Sequence, residues 1–154
     1  MLSETVKELL ETEDDTKCQS ALDVLANAFD AQTATVHRAD SSTRTLHLVA
    51  SRGLPEHILT ITRTIPFGKG MAGICAERQD CVTVCNLQSD DSGVARPSAR
   101  ETGVAGAIVV PILAPGGGLL GTLGIGKPHE HDYTVEETQT LESCARAFAS
   151  IFAT

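Results

Sequence analysis

The stretch from Val104 to Lys127 constrains the fold of this chain more than any other part of the sequence. It contains two apolar runs rich in β-branched residues, and the segment 114–118, of sequence APGGG, separates them. Glycine supplies the positive φ angles of a tight reversal, so this pattern predicts a β-hairpin. The first run, 105–113, is apolar on both faces, and we expect its strand to be covered on both sides and to lie centrally in a sheet.

Two residue types inside the hairpin predict special positions. Pro111 donates no backbone hydrogen bond, so its nitrogen should face a bulge or an unpaired position, which indicates a gap in the sheet. The second run contains Gly121, Gly124 and Gly126. Glycine weakens a strand, and its recurrence here predicts that a ligand or a crossing segment approaches the backbone closely.

The charge balance limits the classes of partner. The 154 residues include 20 Asp and Glu against 12 Lys and Arg, which gives a net charge of -8. This balance argues against a nucleic-acid or anionic-membrane surface. No signal-like start or run of 18 apolar residues is present, so we expect one cytoplasmic domain over 1–154. Five cysteines without paired zinc spacing should be free thiols.

Two predicted capping boxes mark helix starts. Thr16 and Gln19 have the required spacing, as do Thr134 and Glu137, and apolar residues recur at helical spacing after each pair. The predicted segments are N-terminal helices in 1–31, sheet and pocket loops in 33–127, and a C-terminal helix in 134–153.

A second antiparallel strand pair is predicted before the hairpin. Its strands are 33–38 and 45–51, and in the second strand we expect Leu46, Leu48 and Ala50 to share one face. Two antiparallel pairs and an extra strand, flanked by terminal helices, predict an α+β fold with helices packed on one sheet.

The order of motifs along the chain resembles that of a GAF domain. The residues that carry the resemblance are SRGLP at 51–55, IPFGKGMAG at 65–73, IVVPI at 108–112, LGTLGI at 120–125 and YTVEE at 133–137. The resemblance covers nearly the whole chain. It implies a central antiparallel sheet of five or six strands, with terminal helices on one face and a ligand pocket under loops and a short helix on the other. It also implies binding of small ligands or cofactors, and pairing through the terminal helices.

The marks of particular GAF subfamilies are absent from the sequence. The Asn-Lys-Phe-Asp-Glu motif of cyclic-nucleotide-binding relatives does not occur, nor does the Asp-Ile-Pro or Cys-His motif of bilin-bearing relatives. Free methionine sulfoxide reductases share the Gly-Lys-Gly stretch. They carry a cysteine at the position that matches Ala72, and an Ala-Cys-Asp motif that this chain lacks.

Two apparent motifs have simpler interpretations. Gly68, Gly70 and Gly73 spell G-x-G-x-x-G, but a dinucleotide fingerprint needs a parallel βαβ unit. We interpret these glycines as the start of a helix over 68–78, with an anion site at its N-terminus as the alternative. The run 129–132, of sequence HEHD, lacks helical spacing, and we interpret it as a solvated loop rather than a metal site.

Three cysteines lie close together in the sequence. We interpret Cys75, Cys81 and Cys85 as structural thiols, with a redox-sensing Cys85 as the alternative because it leads into a polar loop. Cys81 and Cys85 would stand about 13 Å apart on one strand, too far to chelate one zinc ion directly.

A polar loop in the middle of the chain supplies candidates for a ligand site. It combines hydroxyls, an amide and two guanidiniums, and arginine grips carboxylate-like groups through two hydrogen bonds. The alternative is a solvated loop in which Arg96 and Arg100 pair with Asp90, Asp91 or Glu101. The predicted ligand-binding residues are Met71, Ala72, Cys75, Cys85, Asn86, Ser92, Arg96, Ser98, Arg100, Gly121 and Thr122.

We therefore predict a sensory or regulatory module that binds a small polar or anionic molecule without catalysis. The alternatives are a cysteine-dependent redox enzyme resembling free methionine-(R)-sulfoxide reductase and a purely structural dimerisation domain. The amphipathic termini predict a homodimer through the first and last helices, which a charged residue at Leu10 or Phe152 would disrupt. A signalling partner protein is also expected, while the cofactor and the ligand are left open.

Overall fold

The computed structural model describes residues 1–153, and its centre is one six-stranded antiparallel sheet. The strands follow the order β3-β2-β1-β6-β5-β4 across the sheet. They are β1 (Thr33–Asp40), β2 (Thr45–Arg52), β3 (Thr64–Pro66), β4 (Val82–Val84), β5 (Gly106–Leu113) and β6 (Leu119–Lys127). The helices are α1 (Leu2–Leu10), α2 (Lys17–Ala28), α3 (Glu56–Thr62), α4 (Gly70–Arg78) and α5 (Val135–Phe152), with a 3-10 turn at Pro97–Thr102.

The predicted hairpin is confirmed as β5 and β6. The chain reverses where the Ala114 N–H donates to the Gly118 carbonyl at 2.8 Å, and Gly117 has a φ of +95°. The expected central place of the first run is wrong, because β1 and β6 hold the centre and β5 lies between β6 and the short β4. β5 is nevertheless buried on both faces over most of its length.

The terminal helices α1, α2 and α5 cover one face of the sheet. Leu22 and Phe148 from these helices pack with strand residues such as Ile108 and Leu123 in one buried cluster. Burying a side chain of this size contributes about 1.5–3 kcal/mol. Helix α3, helix α4 and the 3-10 turn cover the opposite face, which carries three smaller apolar clusters. The predicted α+β architecture is confirmed, with six strands. None of the helices in residues 1–153 is long and apolar enough to cross a membrane.

One of the two predicted capping boxes forms. The Thr134 hydroxyl accepts from the Glu137 N–H at 3.1 Å, and the Glu137 carboxylate accepts from the Thr134 N–H at 2.9 Å. The prediction for Thr16 is wrong, because its N–H and hydroxyl both donate to the Asp14 carboxylate. Gln19 reaches the Ser51 carbonyl instead.

A bulge between β1 and β2 overturns the expected face of Ala50. Val36 is opposite Ala50, whereas His37 is opposite Leu48, so Val49 is the extra residue of β2. Ala50 packs with the terminal helices, and Leu46 packs on the other face. The strict alternation that grouped these residues fails because one inserted residue reverses every later side chain.

Candidate functional site

A cavity lies on the sheet face opposite the terminal helices. Its rim compartment, of about 160 Å³, is bounded by α3, the start of α4 and the 3-10 turn. Its sheet compartment, of about 120 Å³, lies against β1, β5 and β6. Thr35, Ala99 and Thr102 line both compartments. Each is smaller than the roughly 300 Å³ at which drug-sized pockets begin, so the space suits a small ligand.

The strand register makes the floor of the sheet compartment. Thr35 is opposite Gly124, and Thr33 is opposite Gly126. A Cβ on Gly126 would lie 2.6 Å from the Val104 Cγ1, and a Cβ on Gly124 would lie 3.2 Å from a methyl group of Val109. These two glycines therefore admit a close neighbour to the backbone, and at Gly126 that neighbour is Val104.

Apolar side chains make most of the wall of the rim compartment. Helix α3 contributes Ile58 and Ile61, helix α4 contributes Met71, and the 3-10 turn contributes Ala99. No aromatic residue is among the described residues that line either compartment. The cavity therefore offers apolar contact to a small aliphatic group but no flat surface on which a nucleobase could stack.

Two cationic side chains stand at the mouth of the rim compartment. Lys69 immediately precedes α4, and the hydrocarbon part of Arg96 lies over Gly70, whose added Cβ would be 3.4 Å from the Arg96 Cγ. Gly70 has a φ of +65°, which a larger residue adopts only under strain. Within residues 1–153, neither Lys69 nor Arg96 forms an ion pair, and no acidic side chain lines this compartment.

The N-terminus of α4 adds to this positive charge. Lys69 occupies the capping position, and no side chain accepts a hydrogen bond there. The first backbone N–H groups of a helix have no acceptor inside the helix, and the helix dipole places about half a positive charge at this end. Lys69 and Arg96 add two positive charges beside that end of the helix. The geometry therefore suits an anionic group at the mouth of the cavity.

Of the predicted ligand-binding residues, three line the rim compartment: Met71, Arg96 and Ser98. Arg100 lies elsewhere. Its guanidinium donates to the Asp90 carbonyl at 2.6 Å, and it lines a separate cleft of about 310 Å³ in the loop. The Ser92 hydroxyl also binds Asp90, at 2.7 Å. The solvated-loop interpretation thus describes Arg100 and Ser92 better than it describes Arg96.

The register of β6 places two further predicted ligand-binding residues, Gly121 and Thr122, outside the cavity. Gly121 shares the helix-covered face with Leu123, and a Cβ there would collide with the carbonyl oxygen of His37. Thr122 faces the cavity side but is 1% exposed, between Pro111 and His37 in the sheet. The prediction that Gly121 binds the ligand is therefore wrong, because side chains alternate between the faces of a strand and Gly121 is on the helix-covered face.

The remaining predicted residues lie in or beyond the wall of the site. Cys75 is fully buried in a cluster with Val82 and Val109. Ala72 packs against two of the small clusters from α4. Cys85 and Asn86 follow the end of β4, outside both compartments, where the Asn86 amide donates to Glu130 at 3.3 Å and Cys85 is exposed. Cys81 and Cys85 were expected on one strand, but β4 is only Val82–Val84, so Cys85 and Asn86 lie beyond its end.

The surroundings of all five cysteine side chains favour the protonated thiol over the thiolate. Cys18, Cys75, Cys81, Cys85 and Cys144 are all free. Burial raises the pKa of four of them, for Cys144 to about 11. A hydrogen bond to the Asp132 side chain raises the pKa of Cys85. The thiolate is the nucleophile in cysteine chemistry, so these environments disfavour it.

The histidine-rich segment 129–132 packs against the start of α5. The His131 Nε2 lies 2.9 Å from the Glu137 carboxylate, and its ring stacks edge-on against Tyr133. No group of three or more His, Cys, Asp or Glu side chains in the part of the chain that the structure describes is arranged to hold a metal ion.

Several cavity residues escaped the sequence prediction. Thr35, Lys69, Ala99 and Thr102 line the cavity and were not proposed. Two features of the sequence could have identified Thr35 and Lys69. Thr35 alternates with the buried apolar residues of β1, which places it on the opposite face, and Lys69 lies between two turn glycines. Ala99 and Thr102 carry no comparable local signal.

The fold and the cavity define a class of α+β domain with terminal helices on one sheet face and a covered cavity on the other. The sequence profile of the GAF domain matches residues 12–153, and the chain belongs to the GAF domain family. The predicted resemblance is confirmed. No match is found among curated proteins.

Solved structures agree with this assignment. The GAF domain of a phosphoenolpyruvate-protein phosphotransferase from Coxiella burnetii is 22% identical, with a TM-score of 0.81 over 99% of this chain and 90% of that one. The corresponding Acinetobacter domain is 15% identical, with a TM-score of 0.79 over 99% and 90%. The free methionine-R-sulfoxide reductase of Neisseria meningitidis, in complex with its substrate, is 19% identical, with a TM-score of 0.79 over 99% and 86%. At these identities, the likeness shows the fold alone.

Proposed function

We propose that this GAF domain is a sensory or regulatory module that binds a small anionic molecule in the rim compartment without transforming it. One observation carries the proposal. Lys69, Arg96 and the N-terminus of α4 meet at the mouth of an apolar cavity that has no acidic lining residue. Charge-assisted hydrogen bonds from such donors bind carboxylates and similar anions.

The distribution of charge along the sequence supports an anionic ligand. Residues 33–127, which build the sheet and the cavity, contain nine Lys and Arg against seven Asp and Glu. The rest of the chain contains three against 13. The negative charge of the protein is thus concentrated in the terminal helical segments. An anion that enters the cavity from the side of α3, α4 and the 3-10 turn avoids most of this charge.

The shape of the cavity limits the ligand to a compact molecule. Its anionic group would lie at Lys69 and Arg96, and a short aliphatic part would contact Ile58 and Ala99. The hydroxyls of Thr35 and Ser98 could bind a further polar atom. A nucleotide is too large for either compartment and would find no aromatic ring to stack on.

A thermal-shift screen tests this proposal. The probes are sodium salts of short carboxylates, 2-oxo acids and nitrate, with free amino acids and nucleoside monophosphates for comparison. We expect a compact anion to stabilise the protein. Because one charge-assisted hydrogen bond contributes about 1.5–3 kcal/mol, Arg96→Ala should weaken its binding about tenfold to a hundredfold.

Arg100→Ala is the matched control. It also removes one guanidinium from the same loop, but that guanidinium binds the Asp90 carbonyl outside the main cavity. It should leave the affinity nearly unchanged. If the stabilisation by every probe survives in Arg96→Ala, or is lost equally in Arg100→Ala, the site is wrongly placed.

The homodimer and a signalling partner remain proposals, as do the cytoplasmic location and the single domain over 1–154. The structure changes the reason for expecting a dimer. Leu10 and Phe152 are 1% and 6% exposed, because the apolar stripes of α1 and α5 pack inside the chain. A charged residue at either position would disrupt folding rather than pairing. We propose that the pairing surface lies elsewhere on the terminal helices.

A further inference from the structure

The face of β1 that floors the cavity carries two threonines. Thr33 and Thr35 alternate with Ala34 and Val36, which are buried against the terminal helices. Thr33 is 8% exposed, Thr35 is half-buried, and both line the sheet compartment. Valine has nearly the same shape and forms strands equally well. Threonine at these positions therefore adds two hydroxyls to a largely apolar space without any gain to the strand itself.

Neither hydroxyl has a hydrogen-bond partner within residues 1–153. The other two threonines that line the cavity do have one. The Thr62 hydroxyl donates to the Ile58 carbonyl at 2.7 Å, and the Thr102 hydroxyl donates to a carbonyl of the 3-10 turn at 2.7 Å. Those acceptors lie one turn earlier in the chain, and a strand offers no such local carbonyl. Most buried polar groups in proteins are hydrogen-bonded, so the hydroxyls on β1 are available to a bound molecule.

Glycines on β6 make room for both hydroxyls. Thr33 is opposite Gly126, and Thr35 is opposite Gly124. The Thr33 Oγ1 lies 2.6 Å from the place of a Cβ on Gly126, and the Thr35 Oγ1 lies 3.4 Å from the place of a Cβ on Gly124. Both hydroxyls therefore lean over the floor of the sheet compartment, and any side chain in place of Gly126 would collide with the first of them.

The two compartments differ in charge. Lys69 and Arg96 line the rim compartment, whereas no Lys, Arg, Asp or Glu in residues 1–153 lines the sheet compartment. Thr35 lines both, and Thr33 lines the sheet compartment alone. A second charged group that entered the sheet compartment would lose its hydration without gaining a counter-ion. A neutral hydroxyl has no such penalty, and it can both donate to and accept from a threonine.

We propose that the ligand of this site is a short hydroxylated carboxylate. Its carboxylate lies at Lys69 and Arg96, and the hydroxyl on its far end hydrogen-bonds to Thr35 or Thr33. This inference rests on the proposed function and names the chemical class of the ligand. The two threonines set the specificity, because a plain aliphatic chain would leave both hydroxyls unpaired and a dicarboxylate would bring a second charge to a place without a cation.

Three sodium salts with the same four-carbon chain test this class by isothermal titration calorimetry. They are butyrate, 4-hydroxybutyrate and succinate. We expect 4-hydroxybutyrate to bind to the wild type about three- to tenfold more tightly than butyrate, which is the gain typical of one neutral hydrogen bond. Succinate should bind more weakly than 4-hydroxybutyrate despite its additional negative charge.

Removal of the two hydroxyls at nearly constant shape is the second test. The double variant Thr33→Val, Thr35→Val should bind 4-hydroxybutyrate and butyrate with about equal affinity, because a methyl group replaces each hydroxyl. The double variant Thr33→Ser, Thr35→Ser keeps the hydroxyls and should keep the preference. Thr83→Val is the matched control, since Thr83 is exposed on β4 and lines neither compartment.

The unliganded variants give a measurement that does not depend on any ligand. Replacing an unpaired, largely buried hydroxyl with a methyl group removes a desolvation penalty. The melting temperature of the valine double variant should therefore equal or exceed that of the wild type. A fall of several degrees that Thr83→Val does not show would mean that the protein already satisfies these hydroxyls, and it would overturn the inference.

The outcomes separate the ligand class from the proposed function. If neither these three salts nor any anion of the thermal-shift screen binds to the wild type, both are lost. If butyrate and 4-hydroxybutyrate bind equally to the wild type, or if the preference survives in the valine double variant, the anion site stands and the hydroxylated class is wrong.

Discussion

The imidazole Nε2 of His37 lies 2.9 Å from the carbonyl oxygen of Thr62. This contact joins β1 to the last residue of α3, the helix that forms one wall of the cavity. His37 is 1% exposed, and its Nδ1 has no hydrogen-bond partner in the described structure. Nε2 must donate to a carbonyl, so Nδ1 carries the lone pair in the neutral ring. His37 therefore ties the cavity wall to the sheet as a neutral residue.

Protonation of His37 should weaken the fold. Burial lowers its pKa, against the opposing effect of the Thr62 carbonyl, so the unfolded chain binds the proton more readily than the folded chain. The contribution of His37 to the free energy of unfolding is complete above the unfolded-state pKa near 6.5. It is lost as the pH falls below that pKa. We expect the melting temperature of the wild type to fall more between about pH 7 and pH 5 than that of His37→Gln.

Glutamine is the suitable replacement because its amide can still donate to the Thr62 carbonyl but does not titrate. The other four histidines are common to both proteins, and their contributions cancel in the comparison. Parallel curves of melting temperature against pH for the two proteins would contradict the assigned role of His37.

Filling the cavity should abolish ligand binding without unfolding the protein. Ala99 lines both compartments and is half-buried. Ala99→Leu adds three carbon atoms that point into space already empty, so the unliganded melting temperature should change by only a few degrees. The stabilisation by any anion found in the screen should disappear. Ala99→Ser, which adds little volume, is the control and should retain it.

An anion that stabilises Ala99→Leu as strongly as the wild type would show that it binds outside these compartments. The loop cleft beside Arg100 would then be the next place to examine, because it is the other cavity that Arg96 lines.

The thiols should not reduce free methionine sulfoxide. Ala72 occupies the position where the reductases that this chain resembles carry a cysteine, and the pKa of every thiol is raised. Cys85 is the most exposed of the five, but its hydrogen bond to the Asp132 side chain favours the protonated form. Thioredoxin-coupled oxidation of NADPH with free methionine sulfoxide as substrate should stay at the rate without protein. Turnover that Cys85→Ser abolishes would instead support the enzyme alternative.

Local sequence signals predicted the elements and most of their pairing. The APGGG segment specified the hairpin, and the Thr134 box specified the start of α5, because each pattern acts on backbone groups within one turn. Pro111 correctly indicated a gap, since it lies where β5 runs past the end of β4. The second capping box failed because Asp14, two residues before Thr16, competes for the same N–H and hydroxyl.

The bulge in β2 marks the limit of periodic patterns. Leu48 and Ala50 are two residues apart and should share a face, but the extra residue Val49 puts them on opposite faces. Nothing in the composition of the strand reports this insertion, because it results from pairing with β1. The face of a strand residue is known from its sequence only as far as the pairing remains regular.

The sequence by itself determined that this chain forms an antiparallel α+β domain, because turn chemistry, capping and apolar periodicity all act over a few neighbouring residues, and the resemblance of its motifs to those of GAF domains indicated the family. Only the tertiary structure decided which side chains share the cavity. Arg96 and Arg100 are one helical turn apart in the same polar loop, yet one lies over Gly70 at the mouth and the other binds the Asp90 carbonyl. That difference depends on how the loop packs against the start of α4, a segment more than 20 residues away in the chain, and no local pattern encodes such a contact.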